Sequence, residues 1–214
     1  MRLVDISPIL SARVAVWPGD VPFSRTINES IAAGANIDLS SITTTVHVGA
    51  HTDAPSHYVG DGATIDRRPL DLYFGPCQVI DAPVGRGERV LPEHLYGPIR
   101  APRVLFRTGT FPDPDRFDED FAALSPALIE VLAAQGVVLV GIDTPSIDLC
   151  HDREILTHHA VARHDLAVLE GIVLAHVDPG IYELVAFPLK IEGADASPVR
   201  AVLIDHRAPD LAGR

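Results

Sequence analysis

Four side chains that commonly bind metals lie within eleven residues of this chain. His47, His51, Asp53 and His57 all occupy odd-numbered positions in the sequence HVGAHTDAPSH. The preceding run, residues 42–46, is rich in β-branched residues and predicts a strand. Because alternate side chains of an extended strand share a face, we expect His47, His51 and Asp53 to point the same way.

Glycine and proline add to this pattern. Gly49 leaves a gap between the first two histidines, and Pro55 ends the strand, so that the chain can turn and bring His57 back toward the others. A lone histidine on a strand is usually a surface or satisfied core residue. Three histidines and an aspartate together predict a strand-borne site for a divalent transition metal. The helical HExxH zinc motif does not fit, because Gly49 and Ala50 follow the first histidine.

A second polar group of residues lies in the segment HHAVARHDLAVLEGIVLAH. Its apolar spacing predicts a helix from about residue 161 to residue 175. Glu170 stands out because a carboxylate among aliphatic residues is costly to bury unless it is paired or binds a metal. On one continuous helix His159 would share its face, whereas His158 would join only from before the first regular turn. His164 is expected to be solvated.

The remaining pattern predicts an α/β fold with a mixed, sheet-rich architecture, in one domain over residues 1–214. Ser125 and Gly136 are expected to bound a helix, and Asp143 to cap the turn after a buried strand rather than to act in a site. A hairpin or meander over residues 23–46 should lead into the histidine strand. Further strands are expected at residues 2–6, 77–82, 103–108 and 137–143 and at two places after residue 181.

Charge and composition exclude several classes of partner. The net charge of −12 argues against nucleic acid and against an anionic membrane surface. No segment approaches the roughly 18 apolar residues that a membrane-spanning helix needs. The N-terminus lacks the pattern of a signal peptide, and Cys77 and Cys150 are expected to be free thiols, so we expect a cytoplasmic protein.

Trp17 is the only tryptophan, and it lies beside the turn Pro18-Gly19-Asp20. Two interpretations remain open from the residues alone. The side chain is either a partly buried core aromatic or a flat wall against which a ring-bearing substrate lies.

Taken together, the motifs VWPGD, HxGAHxDxPxH, GIDTPS, HHA…LEG and DASPVRAVL resemble those of the bacterial kynurenine formamidases. These enzymes form a branch of a metal-dependent cyclase family that also includes the isatin hydrolases. The resemblance extends from Asp5 to about Leu203. Ala50 fits the formamidase branch, since other branches usually carry threonine there.

The resemblance implies two zinc ions per chain, a homodimer and the swivelling β/β/α fold. By this resemblance His47 and His51 bind the first zinc and His158 binds the second. Asp53 and Glu170 bridge both ions. His57 is the acid/base residue, and Trp17 lines the substrate pocket. For the second zinc, the family pattern favours His158, whereas the helical-face argument favours His159; we expect His158.

The implied reaction is the hydrolysis of N-formyl-L-kynurenine to L-kynurenine and formate, a step of tryptophan degradation. A hydroxide activated by the two zinc ions would attack the formyl carbon, and a zinc ion would stabilise the developing oxyanion. His57 would protonate the leaving aniline nitrogen. No G-x-S-x-G motif of serine hydrolases is present.

Two alternatives remain. A related amide hydrolase, such as an isatin hydrolase, would use the same metal ligands with a different pocket. A non-catalytic metal-binding protein would not need His57 in addition to its ligands, so His57 argues against this alternative.

Overall fold

The computed structural model describes residues 1–207 of the 214-residue chain. Its centre is a seven-stranded mixed sheet with the strand order β1-β13-β11-β5-β7-β9-β10, and three two-stranded sheets surround it. The strands are β1 (Arg2–Asp5), β2 (Ser24–Glu29), β3 (Leu39–Thr43), β4 (His51–Asp53), β5 (Phe74–Asp81), β6 (Arg89–Val90), β7 (Arg103–Arg107), β8 (Ala123–Leu124), β9 (Leu139–Ile142), β10 (Ala167–Leu169), β11 (Gly180–Val185), β12 (Ala196–Pro198) and β13 (Val202–Asp205).

Two α-helices and five short 3₁₀ segments complete the described part of the chain. The helices are α1 (Pro126–Ala134) and α2 (Leu156–Arg163). The 3₁₀ segments span Ile31–Ala33, Pro55–His57, Ile65–Arg67, Leu70–Tyr73 and Pro92–His94. The prediction of a mixed, sheet-rich α/β fold is confirmed.

Within the parallel part of the central sheet, β7, β9 and β10 are buried on both faces, whereas β5 alternates buried and more exposed residues. Strands β5, β7, β9 and β10 run parallel, and β9 is fully buried. On one face Phe106 and Val140 pack with the buried side of the helices, while on the other Leu105 and Leu139 pack with Tyr73. Strands covered on both faces read as continuous apolar runs, which is why the sequence pattern located them.

Helix α1 follows its local sequence signals. The Ser125 hydroxyl accepts a hydrogen bond from the Leu128 amide at 3.1 Å, and Pro126 occupies the first turn. Gly136 follows the helix with φ of 81°, a left-handed conformation that glycine adopts without strain. The prediction of this helix is therefore confirmed.

The prediction of one helix over residues 161–175 is wrong. Helix α2 ends at Arg163, Asp165 adopts φ of 51°, and Ala167–Leu169 forms β10, parallel to β9. The run of aliphatic residues fits a fully buried edge of the sheet as well as a helix, and tertiary pairing decides between them. Glu170 therefore lies at the end of a strand, and the argument that placed it on a helical face with His159 fails.

The expectation that His47, His51 and Asp53 share one continuous strand is also wrong. Strand β3 ends at Thr43, and the chain turns through Gly49, which has φ of 60°, before β4 begins. The predicted hairpin over residues 23–46 is present as β2 paired with β3. After residue 181, the structure has parts of three strands where the sequence predicted two.

Both cysteines are free thiols, as predicted; Cys77 is buried and Cys150 is partly buried. No helix within residues 1–207 has the length and apolar character required to cross a membrane.

Candidate metal centre

The centre is built where β4 meets the end of β10. The amide of His51 donates to the Glu170 carbonyl at 3.1 Å, and the Glu170 amide donates back to the His51 carbonyl at 2.9 Å. Gly171 then turns away with φ of 64°, and a Cβ atom there would lie 2.2 Å from the Gly49 carbonyl oxygen. This close approach of two glycines allows the segment that carries His47 to lie against the strand end that carries Glu170.

A first cluster joins two histidines and an aspartate. Asp53 Oδ1 lies 3.0 Å from His47 Nδ1 and 3.6 Å from His51 Nε2. Glu170 Oε2 lies 3.1 Å from the same His51 nitrogen. His47, His51 and Asp53 form one group of potential ligands for a single ion, and Glu170 reaches this group through its contact with His51.

A second cluster uses the other oxygen of each carboxylate. His158 Nε2 lies 3.6 Å from Asp53 Oδ2 and 3.6 Å from Glu170 Oε1. The other ring nitrogen of His158 is hydrogen-bonded to Asp148 Oδ2 at 2.8 Å, which fixes the ring. Each carboxylate thus presents one oxygen to each cluster, the arrangement expected of groups that bridge two ions.

The spacing of these atoms fits metal coordination. Ligands about 2.0–2.1 Å from a tetrahedral zinc ion lie about 3.3 Å from one another, close to the separations in both clusters. Asp53 Oδ1 is buried and makes no hydrogen bond of acceptable geometry, although His47 Nδ1 is near. A buried carboxylate oxygen that faces two imidazole nitrogens is stabilised either by protons on those rings or by a cation bound between them.

The electrostatics of the metal-free site are dominated by these contacts. Burial lowers the pKa of His158, but its contacts with Asp148 and Asp53 outweigh burial and raise the pKa to about 10. Burial likewise opposes the charge of His47, yet Asp53 and Asp195 raise its pKa to about 9. Burial raises the pKa of Asp53, but His158 and His47 hold it well below its ordinary value. In the absence of a metal, protons occupy its place.

The structure brings His158, and not His159, to the clusters. His158 is buried on α2 and faces Asp53 and Glu170. His159 lines a separate surface depression beside Arg68. His164 is exposed, as predicted, and is hydrogen-bonded to Glu130 on the surface. It takes no part in the site.

His57 lies beside the first cluster. It ends the 3₁₀ segment Pro55–His57, and its ring centroid is 4.3 Å from that of His47. Its Nδ1 atom is hydrogen-bonded to Asp195 Oδ2 at 3.2 Å. The side chain remains 40% exposed. The turn that the sequence predicted after Pro55 therefore does return His57 to the other histidines.

A cavity of about 440 Å³ opens over both clusters. Trp17 lies in its wall and contacts Phe117 and Phe121 edge-to-face, with ring centroids 5.4 and 6.2 Å apart. Trp17 thus lines the cavity and is 36% exposed, and its role toward a substrate stays a prediction. Asp143 also lines the cavity, and its carboxylate accepts hydrogen bonds from the amides of Thr108 and Gly109, so it caps a neighbouring loop rather than the turn that follows it.

Sequence reasoning assigned no role to Asp148 or Asp195. Asp195 is the first residue of the motif DASPVRAVL, and Asp148 lies two residues after the motif GIDTPS. Asp148 touches His158, and Asp195 touches both His47 and His57. Their distance along the chain from the histidines hides these contacts; only the motifs pointed to the segments.

Comparison with known proteins identifies the family of this chain. The profile of the Cyclase family, described as "Putative cyclase", matches residues 4–149. Kynurenine formamidase from Bordetella pertussis (strain Tohama I) is 47% identical over 204 residues, which cover 94% of this chain and 97% of that protein.

Solved structures are similar over nearly the whole chain. One, titled "The Structure Of Potential Metal-Dependent Hydrolase With Cyclase Activity", is 30% identical with a TM-score of 0.82, covering 97% of this chain and 99% of the other. Isatin hydrolase A from Ralstonia solanacearum is 23% identical with a TM-score of 0.82, covering 95% and 92%, a likeness of fold alone. This chain belongs to the cyclase family, in the branch that includes the kynurenine formamidases.

Proposed function

We propose that this protein is a metal-dependent arylformamidase that hydrolyses N-formyl-L-kynurenine to L-kynurenine and formate. The observation that carries the proposal is the position of His57 beside two ligand clusters that share two carboxylates, at the floor of one aromatic-walled cavity. The 47% identity to a kynurenine formamidase over almost the whole chain supports the choice of substrate.

The residues present fit two divalent ions, which we propose to be zinc. His47 and His51 would hold the first ion and His158 the second, with Asp53 and Glu170 shared between them. When bound, such a pair lowers the pKa of water in the site and polarises the formyl carbonyl. Imidazole and carboxylate ligands suit zinc, although other divalent ions of the first transition row bind similar sets.

His57 would move the proton that the reaction requires. Hydrolysis forms a bond from the water oxygen to the formyl carbon, breaks the carbon–nitrogen bond, and transfers a proton from water to the aniline nitrogen. With Nδ1 hydrogen-bonded to Asp195, the Nε2 atom of His57 is left to accept that proton and to deliver it. An imidazole suits both steps because a neutral ring has one nitrogen that accepts a proton and one that donates.

The cavity wall would orient the aromatic ring of the substrate. Trp17, held by Phe117 and Phe121, presents an aromatic surface within the same cavity as the ligand clusters. Stacking on this surface would place the formamide group over the metal ligands and exclude bulk water.

We further propose that residues 1–214 form one domain and that the protein is a cytoplasmic homodimer. The hairpin of β2 and β3 supports the dimer. All eleven of its strand residues are exposed, among them Ile27 at 63% and Ile42 at 62%. A two-stranded hairpin is marginal in water, and apolar side chains of this size favour burial against a second copy.

A panel of amide substrates tests the proposed reaction. We expect the zinc-loaded protein to release one formate per N-formyl-L-kynurenine consumed, with isatin and simple aliphatic formamides hydrolysed at least about 100-fold less efficiently, as the loss of a well-oriented binding contact predicts. Preferred hydrolysis of isatin would reassign the substrate. No turnover of any member with both sites filled would favour a non-catalytic metal-binding protein.

A further inference from the structure

We propose that Asp195 is a positioning residue for the hydrolysis, because its carboxylate holds His57 in the tautomer and orientation that present Nε2 to the cavity. The inference rests on the proposed function only in that His57 acts on a substrate in this cavity. It assigns a role to a residue that lies outside both ligand clusters.

One carboxylate oxygen of Asp195 joins two rings. Asp195 Oδ2 is 3.2 Å from His57 Nδ1 and 3.1 Å from His47 Nε2. The other nitrogen of His47, Nδ1, faces Asp53 at 3.0 Å. Asp195 therefore connects the ring next to the reacting atoms to the ring that faces the first cluster.

The backbone holds Asp195 firmly in this position. Strand β12 begins at the next residue, and Ala196 pairs with Asp53 in β4. The Asp195 carbonyl accepts from the Ala54 amide at 2.8 Å, and the Ala194 carbonyl accepts from Ile65 at 2.9 Å. The same ladder therefore fixes the backbone of Asp195 beside the strand that carries the ligands, and the half-exposed carboxylate is directed by its contacts with the two histidine rings.

The hydrogen bond decides which nitrogen of His57 can react. A neutral imidazole carries one N–H, and a carboxylate can only accept, so Asp195 selects the form with the proton on Nδ1. Nε2 is then unprotonated and able to accept a proton from water. After it has done so, the negative carboxylate stabilises the imidazolium until the proton passes to the leaving nitrogen.

A competing explanation is that Asp195 acts only through His47. A carboxylate behind a metal-binding histidine orients it, and loss of such a group typically weakens metal binding by 10–100-fold. This explanation predicts a loss of metal without a specific dependence on His57, so the two can be separated.

A double-mutant cycle at saturating zinc makes the separation. We expect Asp195→Ala to lower kcat by about 10- to 100-fold with KM changed less than about 3-fold, and to lower kcat less than about 3-fold when His57→Ala is already present. Asp195→Asn, whose amide oxygen still accepts from Nδ1, should lie between wild type and Asp195→Ala. Equal losses in both backgrounds, or loss of bound zinc as the whole cause, would overturn the proposal.

Nitrogen NMR of the zinc-loaded protein gives a readout that does not depend on activity. The wild-type His57 ring should show one tautomer protonated at Nδ1, and Asp195→Ala should convert it to a mixture; an unchanged tautomer would refute the proposed role. Asp66→Ala is the matched control. The Asp66 carboxylate accepts a hydrogen bond from the amide of Gly193, two residues before Asp195, but it contacts neither His47 nor His57. If the wild type hydrolyses a different amide, the proposed substrate fails, and the cycle is run on that amide.

Discussion

Asp53 and Glu170 are buried carboxylates that each face more than one histidine. Both are at most 3% exposed, and each places its two oxygens toward different histidines. Two buried carboxylates close together repel each other unless cations lie between them. The chain meets this need with His47, His51 and His158, and we infer that metal ions replace their protons.

The second cluster should depend on His158 and not on its neighbour. We expect His158→Ala to retain about one zinc per chain instead of two, because it removes the only histidine near Glu170 Oε1 within residues 1–207. His159→Ala is the matched control and should retain both ions, since His159 faces a separate depression. Elemental analysis after dialysis measures the difference. The assignment would be contradicted if His159→Ala lost one zinc ion and His158→Ala retained both.

Metal loading should release protons. His47 and His158 hold their protons up to pH values of about 9 and 10 in the metal-free protein, whereas a ligating imidazole must be neutral. At pH 7.5 we therefore expect more than one proton to be released per chain filled, and apparent zinc affinity should rise with pH. Calorimetric titration in buffers of different ionisation enthalpy measures the number. A heat independent of the buffer would show that the histidines are already neutral.

At the scale of elements, the site depends on how β4 and β10 approach each other. The sequence located the histidines correctly but placed them on one strand, and it placed Glu170 on a helix. Gly49 turns the chain with positive φ between His47 and β4, and helix α2 ends at Arg163, so that the chain has already formed β10 when it reaches Glu170. The convergence came from pairing between segments more than 100 residues apart, which periodicity does not encode.

Substitution of Gly171 should show how close this approach is. We expect Gly171→Ala to destabilise the protein by about 1–2 kcal/mol through backbone strain, with about 1–3 kcal/mol more from overpacking against the Gly49 carbonyl, and to weaken zinc binding. Gly136→Ala, also at positive φ but with no atom within 4 Å of the added Cβ, should show the strain alone. Denaturant unfolding of both zinc-free variants compares them. An equal loss of unfolding free energy in the two variants would mean that the segments around Gly49 and Gly171 separate easily to admit the added methyl group.

At the scale of the whole molecule, the central sheet was the easiest part to predict. Strands β5, β7 and β9 and helix α1 appear near their expected positions, because apolar runs and a capped helix leave clear local signals. The strand β10 was missed because its three residues follow a helix directly. The contacts of Asp195 could not be predicted because it lies more than 100 residues from His47 and His57, and no local pattern places Asp148 against the His158 ring ten residues later.

The exposed hairpin makes a prediction about assembly. Ile27 and Ile42 share a face of the β2–β3 pair, since Ile42 lies opposite Arg25, two residues from Ile27. We expect the protein to have twice its 23.0 kDa chain mass by light scattering, and Ile42→Glu to shift it toward the monomer. Ile9→Glu, at a residue 80% exposed outside the hairpin, is the control and should leave the dimer intact. A monomeric wild type would contradict the proposed dimer.

The most direct test of the central claim measures metal content and N-formyl-L-kynurenine hydrolysis on the same sample. We predict about two zinc ions per chain with rapid formate release, loss of turnover when a chelator removes the zinc, and recovery when zinc is restored. Turnover at an undiminished rate in protein shown to be free of metal would contradict the claim that the two clusters form a catalytic metal centre.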